Sequence, residues 1–157
     1  MDNSGLFARE DIDLAPGENV SDDRETQKYL LFQSEQLLFG VIAESVVEII
    51  THHEITPLPL VPPYVRGIIN LRGQIIPILD IRILLGQESS NGSCTIILNL
   101  NGVLLGILVD TVEKMLDIDV QSILPSPTQN TQKLVSGMCS LSDGQTMLVL
   151  DGAQLMR

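Results

Sequence analysis

Apolar residues along the chain fall in short runs rich in Ile, Val and Leu, each closed within about a dozen residues by Gly, Asn, Ser or Pro. Runs of that length and composition predict strands, not long helices. Residues 29–33 and 37–42 flank a polar turn and predict a first hairpin. Residues 95–100 and 103–109 flank Asn101-Gly102, a pair that accepts the positive φ angles of tight hairpin turns. Residues 68–71 with 74–79 around Arg72-Gly73, and 138–141 with 145–150 around Asp143-Gly144, predict two more hairpins. Residues 46–50 and 112–116 each supply a further strand.

These segments are one pattern written twice. Residues 29–46 align without a gap on 95–112, 55–59 answers to 123–127, and 65–74 answers to 135–145 with one extra residue. Both copies close on an apolar run ending in Leu-Asp, at Leu79-Asp80 and Leu150-Asp151. The chain therefore predicts two similar modules of roughly 60 residues. Five short strands per module is the number with which a small closed barrel removes its edges. Asp80 and Asp151, present in both copies and followed by a few apolar residues, predict the N-caps of short helices lidding the barrels. Pro57, Pro59, Pro62 and Pro63 stiffen the crossing connection of copy one, and Pro125 and Pro127 that of copy two. Segment 86–93, rich in Gly, Ser and Asn, reads as the junction between modules.

A duplicated module keeps what its fold needs in both copies, so residues that differ in kind mark work done by one copy alone. Copy one carries Arg66, Asn70 and Arg72 where copy two carries Ser136, Ser140 and Ser142. Gly67 and Gly73, by contrast, recur as Gly137 and Gly144, as turns require.

With 157 residues, 44% hydrophobic and only 3% aromatic, the chain can bury one substantial core or two small fused ones. A net charge of −11 argues against a nucleic-acid backbone or an anionic membrane surface as partner. Residues 1–26 hold eight acidic and two basic side chains with no apolar periodicity, and read as a solvated leader before a domain at 27–157. The modules fall at about 27–88 and 94–157, with exchange of a strand or terminus between them left open. Every hydrophobic run is interrupted well short of the roughly 18 residues a membrane helix needs, so direct membrane insertion is not expected. Cys94 and Cys139 stand at no metal-binding or redox spacing, which points to a reduced, cytoplasmic setting.

Chemistry is hard to place on this chain. Asp110-Thr111 approaches an aspartic-protease triplet, but Val112 stands where the backbone needs Gly, and copy one reads Glu44-Ser45-Val46. His52 and His53 are adjacent and point to opposite faces of an extended chain, so they cannot chelate one ion together. No nucleophile elbow and no phosphate-cradling glycine loop occurs. No catalytic residue, metal or cofactor is expected, and the function reads as binding.

The stretch from Arg66-Gly67 through Asn70-Leu71-Arg72-Gly73 and Pro77 to Asp80 resembles the signature of the CheW-like domain, the coupling module of bacterial chemosensory arrays. The opening strand from Lys28, the segment Val47-Glu48-Ile49, the run from Leu105 to Val112 and the finish at Asp151 agree with it, so the resemblance covers residues 27–157. It implies an all-β fold with short helices, in which two five-stranded SH3-like barrels pack around a shared core. It implies a non-catalytic adaptor that joins the cytoplasmic tip of methyl-accepting chemoreceptors to the regulatory domain of a CheA-type histidine kinase. A coupler serving another output, such as type IV pilus motility, or a module binding the kinase alone, fits the same resemblance. The matching partner-binding positions are Glu48, Gly67, Asn70, Arg72 and Gly73 in copy one and Val109 and Asp110 in copy two, to which the copy contrast adds Arg66.

Overall fold

The described residues build eleven strands, two single-turn α-helices and two short 3-10 turns. In a computed structural model, which describes residues 25–88, 94–125 and 134–155, the strands are β1 (Thr26–Ser34), β2 (Leu37–Ile42), β3 (Val46–Thr51), β4 (Val65–Leu71), β5 (Gln74–Asp80), β6 (Cys94–Leu100), β7 (Val103–Val109), β8 (Thr111–Asp119), β9 (Leu124–Pro125), β10 (Val135–Ser140) and β11 (Thr146–Leu150). Helices α1 (Ile81–Leu84) and α2 (Gly152–Leu155) follow β5 and β11. All four expected hairpins form. Arg72-Gly73 and Asn101-Gly102 both take positive φ, as the tight turns between their strands demand. Asp80 caps α1 by accepting from the Arg82 amide at 3.0 Å, and Asp151 accepts from the Ala153 amide at 3.1 Å. Most of the expected acidic leader, residues 1–24, lies outside the described residues.

The strands form two sheets. One has the order β8-β1-β2-β11-β10-β9 and the other β3-β6-β7-β5-β4. Neither sheet is one copy of the repeat: β1 and β2 of copy one sit with the late strands of copy two, and β6 and β7 of copy two sit with β3, β4 and β5. The exchanged hairpins dock through parallel pairs, Leu148 opposite Phe39 and Leu79 opposite Ile107. The expected junction at residues 86–93, of which 89–93 lie outside the described residues, falls between β5 and β6 of one and the same sheet. The chain passes between sheets at Ala43–Ser45 and at Asp110. The expected count of five strands holds for one sheet, and two-residue β9 makes six in the other.

Each sheet rolls around a core of its own. Ile118 on edge strand β8 packs in one cluster with Cys139 on β10, near the far end of the same sheet. In the second sheet Ile50 on edge strand β3 packs with Ile69 on the opposite edge β4, and a bridge from Thr56 to Ile68 closes the gap between those edges. The outer faces then bury against each other: Phe32 and Phe39 from the first sheet meet Ile96, Leu98, Ile107 and Val109 from the second. The two phenylalanine rings stack with centroids 5.5 Å apart. Each such apolar side chain contributes about 1.5–3 kcal/mol on burial, so this shared core binds the barrels into one unit.

Candidate functional site

The hairpin turn between β4 and β5 brings together four of the eight expected site residues: it carries Asn70, Arg72 and Gly73 and meets Glu48 of β3. Asn70 Oδ1 accepts a hydrogen bond from the Gly73 amide at 3.0 Å, and Asn99 does the same for Gly102 at 2.8 Å in the β6–β7 hairpin. Asn70 thus holds the turn that Arg72 and Gly73 make. The turn leaves the Arg72 side chain 70% exposed, reaching across to Glu48. Its Nη1 donates to Glu48 Oε1 at 2.8 Å and its Nη2 to Oε2 at 3.1 Å, a bidentate pair. The Arg72 hydrogen bond holds the Glu48 carboxyl below its ordinary value.

Glu48 lies on β3 and Arg72 just beyond β4, and these are the two edge strands of their sheet. The ion pair therefore laces the seam of the barrel. Strand alternation turns Val47 and Ile49, on either side of Glu48, away from that barrel's interior, where they remain 52% and 41% exposed. Ile42, at the end of β2, is also exposed. These three apolar positions were not singled out from the sequence, because Val and Ile on a strand read as core. The charge at Glu48 points the other way, since alternation read from it would bury Val47 and Ile49, whereas Glu48 shares the less exposed face of β3 with Ile50.

The other expected residues go elsewhere. Gly67 takes a φ of +145°, and a Cβ there would stand 2.2 Å from the Thr56 carbonyl oxygen. A Cβ at Gly137 would stand 2.7 Å from the Leu124 carbonyl oxygen, so both glycines let the crossing segment pair with the sheet. Arg66 is the second residue of β4, six residues and roughly 20 Å of extended chain from Arg72. Its Nη1 lies 3.0 Å from Oδ2 of Asp80, which is wholly buried and whose other oxygen caps α1. Asp151, the counterpart of Asp80, is only partly buried, which is why Ser136 suffices where copy one needs Arg66. Val109 is fully buried in the shared core. Asp110 accepts from the Glu35 amide at 2.6 Å and pairs with Arg82 Nη2 at 2.6 Å, away from the β4–β5 turn. Arg82 was also missed, although its counterpart Ala153 shows the same change in kind as Arg72 and Ser142.

Among the described residues no group of His, Cys, Asp and Glu side chains converges to hold a metal ion. No helix among them is long and apolar enough to cross a membrane. The site offers a charged pair, a rim of exposed aliphatic side chains and backbone held rigid by a barrel seam.

The family model for the CheW-like domain matches residues 28–157, nearly the whole of both barrels. The chain belongs to the CheW-like family. Chemotaxis protein CheW of Klebsiella aerogenes is 30% identical over 144 residues, covering 87% of this chain and 85% of that protein. Protein FrzA of Myxococcus xanthus is 34% identical over 107 residues, covering 66% of this chain and 67% of that protein. The crystal structure of the scaffolding protein TtCheW from Thermoanaerobacter tengcongensis superposes with a TM-score of 0.74 at 30% identity, covering 81% of this chain and 90% of that one. The exchanged two-sheet architecture is thus that of a CheW-like domain, and the Asn70 to Gly73 turn with its ion pair lies inside the matched region.

Proposed function

We propose that this chain is a non-catalytic coupler, binding the cytoplasmic tip of a methyl-accepting chemoreceptor and the regulatory domain of a CheA-type histidine kinase. The observation that carries the reading is the Glu48–Arg72 pair set between exposed Val47 and Ile49. Exposed ion pairs add little to stability. Copy two, with Lys114 and Ser142 at the corresponding positions, forms its barrel without one. Aliphatic side chains beside a fixed pair of opposite charges suit an amphipathic helix, whose apolar stripe covers Ile42, Val47 and Ile49 while its polar flank is read by the charges. A receptor presents such helices at its tip. Signal then passes as a change in relative packing among three proteins, with no reaction on the coupler.

The likeness to FrzA favours keeping a second reading, a coupler in a pathway with an output other than chemotaxis. The receptor partner distinguishes the two. The test is reconstitution: a receptor cytoplasmic fragment, a CheA-type kinase and this chain are mixed, and kinase autophosphorylation is followed. Receptor-dependent stimulation that requires the chain is expected. Stimulation equal with and without it contradicts the proposal.

A further inference from the structure

Among the described residues the chain passes between its two barrels at two places, and the repeat makes those places counterparts. One is the single residue Asp110, between β7 and β8; the other is the turn Ala43–Ser45, between β2 and β3, where Glu44 stands in the position of Asp110. They are built differently.

At Asp110 both the amide and the carboxylate are tied. Its amide donates to the Gln33 carbonyl at 3.0 Å, holding the crossing to β1. Its carboxylate accepts from the amide of Glu35, in the β1–β2 turn of one barrel, at 2.6 Å. The same oxygen takes Arg82 Nη2, from the α1 lid of the other barrel, at 2.6 Å, and Arg82 Nη1 lies 3.8 Å from the Glu35 carboxylate. One guanidinium thus joins both barrels at the residue where the chain crosses. Arg82 is about four-fifths buried there, at 21% side-chain exposure, where a charged hydrogen bond is screened far less than at the surface.

At the other crossing the same places are filled by different chemistry. Asn101 answers to Glu35, Glu44 to Asp110 and Ala153 to Arg82. The lid is in the equivalent position, since a Cβ on Gly152 would stand 2.8 Å from the Leu100 side chain beside the β6–β7 turn. Ala153 carries no group that could reach the crossing. The turn at Ala43–Ser45 has no side-chain cap, and Glu44 is exposed. Of two equivalent crossings, one is latched by charge and the other is not.

We propose that Arg82 latches the Asp110 crossing into a fixed pivot, so that movement between the barrels is confined to the Ala43–Ser45 crossing. That crossing is flanked by Ile42 on one side and Val46 and Val47 on the other, so rocking about Asp110 changes the spacing of the exposed aliphatic positions. This last step rests on the coupler reading above; the pivot does not.

The test is amide hydrogen exchange followed residue by residue by NMR on the full chain, in wild type and Arg82→Met, which keeps the apolar stem and removes the charge. In wild type the amides of Glu35 and Asp110 are expected among the slow class, with those of residues 43–45 exchanging faster. In Arg82→Met, exchange at Glu35 and Asp110 should accelerate at least tenfold, with Leu31 and Ile97 in the barrel cores within twofold of wild type. Asp110→Asn keeps an acceptor for the Glu35 amide and removes the charge; the same acceleration at residue 110 is expected, which covers the case of a poorly folding Arg82 variant. Unchanged exchange at Glu35 and Asp110, or equal acceleration throughout the chain, overturns the pivot. Because exchange is read on the free protein, the outcome does not depend on which partner it serves.

Discussion

Arg72 and Glu48 join the two edge strands of one rolled sheet through a pair of hydrogen bonds, at 2.8 and 3.1 Å, across 24 residues of sequence. The second barrel forms with Lys114 and Ser142 in their places, so the repeat itself separates what a barrel needs from what this one displays. The backbone adds to the argument. Arg72 is held at a φ of +52°, a conformation costly for a side chain other than Gly, Asn or Asp.

The pair should show in the titration of Glu48. Its carboxyl lies below the ordinary value of 4.5 because Arg72 donates to the ionised form. A lowered acid keeps its pairing above the ordinary value and loses it only as pH falls through the lowered one, so the pair persists at neutral pH and breaks in acid. Side-chain carboxyl NMR should place the Glu48 midpoint below 4.5 in wild type and move it upward in Arg72→Gln. A midpoint unmoved by the substitution contradicts the pairing.

Arg66 should behave as a structural residue. Asp80 is wholly buried, and removing Arg66 takes a charge partner from a carboxylate that cannot reach water. Arg66→Ala should cost about 2–3 kcal/mol of unfolding free energy, somewhat under the about 3–5 kcal/mol for breaking a fully buried pair, because Arg66 itself is partly exposed. Urea denaturation of the variant checks this, and a midpoint equal to wild type refutes it.

Gly67 and Gly73 should part company on substitution. A Cβ on Gly67 collides with the Thr56 carbonyl, whereas Gly73 has open space around it and only its φ of +86° to oppose a side chain. Gly67→Ala should cost about 3 kcal/mol or more and Gly73→Ala about 1–2 kcal/mol, with Gly137→Ala following Gly67. Equal denaturation midpoints for the Gly67 and Gly73 variants would show that the collision is relieved.

Leu60 offers a gain in stability. It is fully exposed, it sits at a φ of +61°, and it follows Pro59 in a turn position suited to Gly or Asn. Leu60→Gly relieves the backbone cost and loses no buried surface, though it frees the unfolded chain. A rise of about 0.5–1 kcal/mol is expected from thermal or urea unfolding, and a loss would mean that the leucine packs in solution.

The hairpins were legible in the sequence because turn chemistry is local: Asn101 and Gly102, and Gly73 after Arg72, are residue types that accept the positive φ angles these turns need. Asp80 and Asp151 announced the lids for the same reason. Which hairpin joins which sheet was not legible, since the pairs that decide it, β2 with β11 and β5 with β7, bring together residues far apart in the chain. A repeat says that two modules exist and not that each keeps its own hairpin. At the candidate site, copy contrast marked Arg66, Asn70 and Arg72 alike, yet they serve a buried carboxylate, a turn amide and an exposed pair. The contrast detects that a residue is special, whereas burial decides what it is special for. The recurring Asn-x-x-Gly at Asn70 and Asn99 was the sign that Asn70 belongs to the turn.

The partner surface we propose is the Glu48–Arg72 pair with its aliphatic neighbours. Arg72→Glu tests it most directly, since the substitution leaves the hairpin backbone requirement unchanged and sets two carboxylates side by side at the seam. The affinities of a receptor cytoplasmic hairpin and of the kinase regulatory domain are measured calorimetrically for wild type and variant, alongside a thermal melt of each. A melting temperature within about 4 °C of wild type is expected, with a loss of at least about thirtyfold in affinity for one of the two partners. A well-folded variant that binds both partners as tightly as wild type contradicts it.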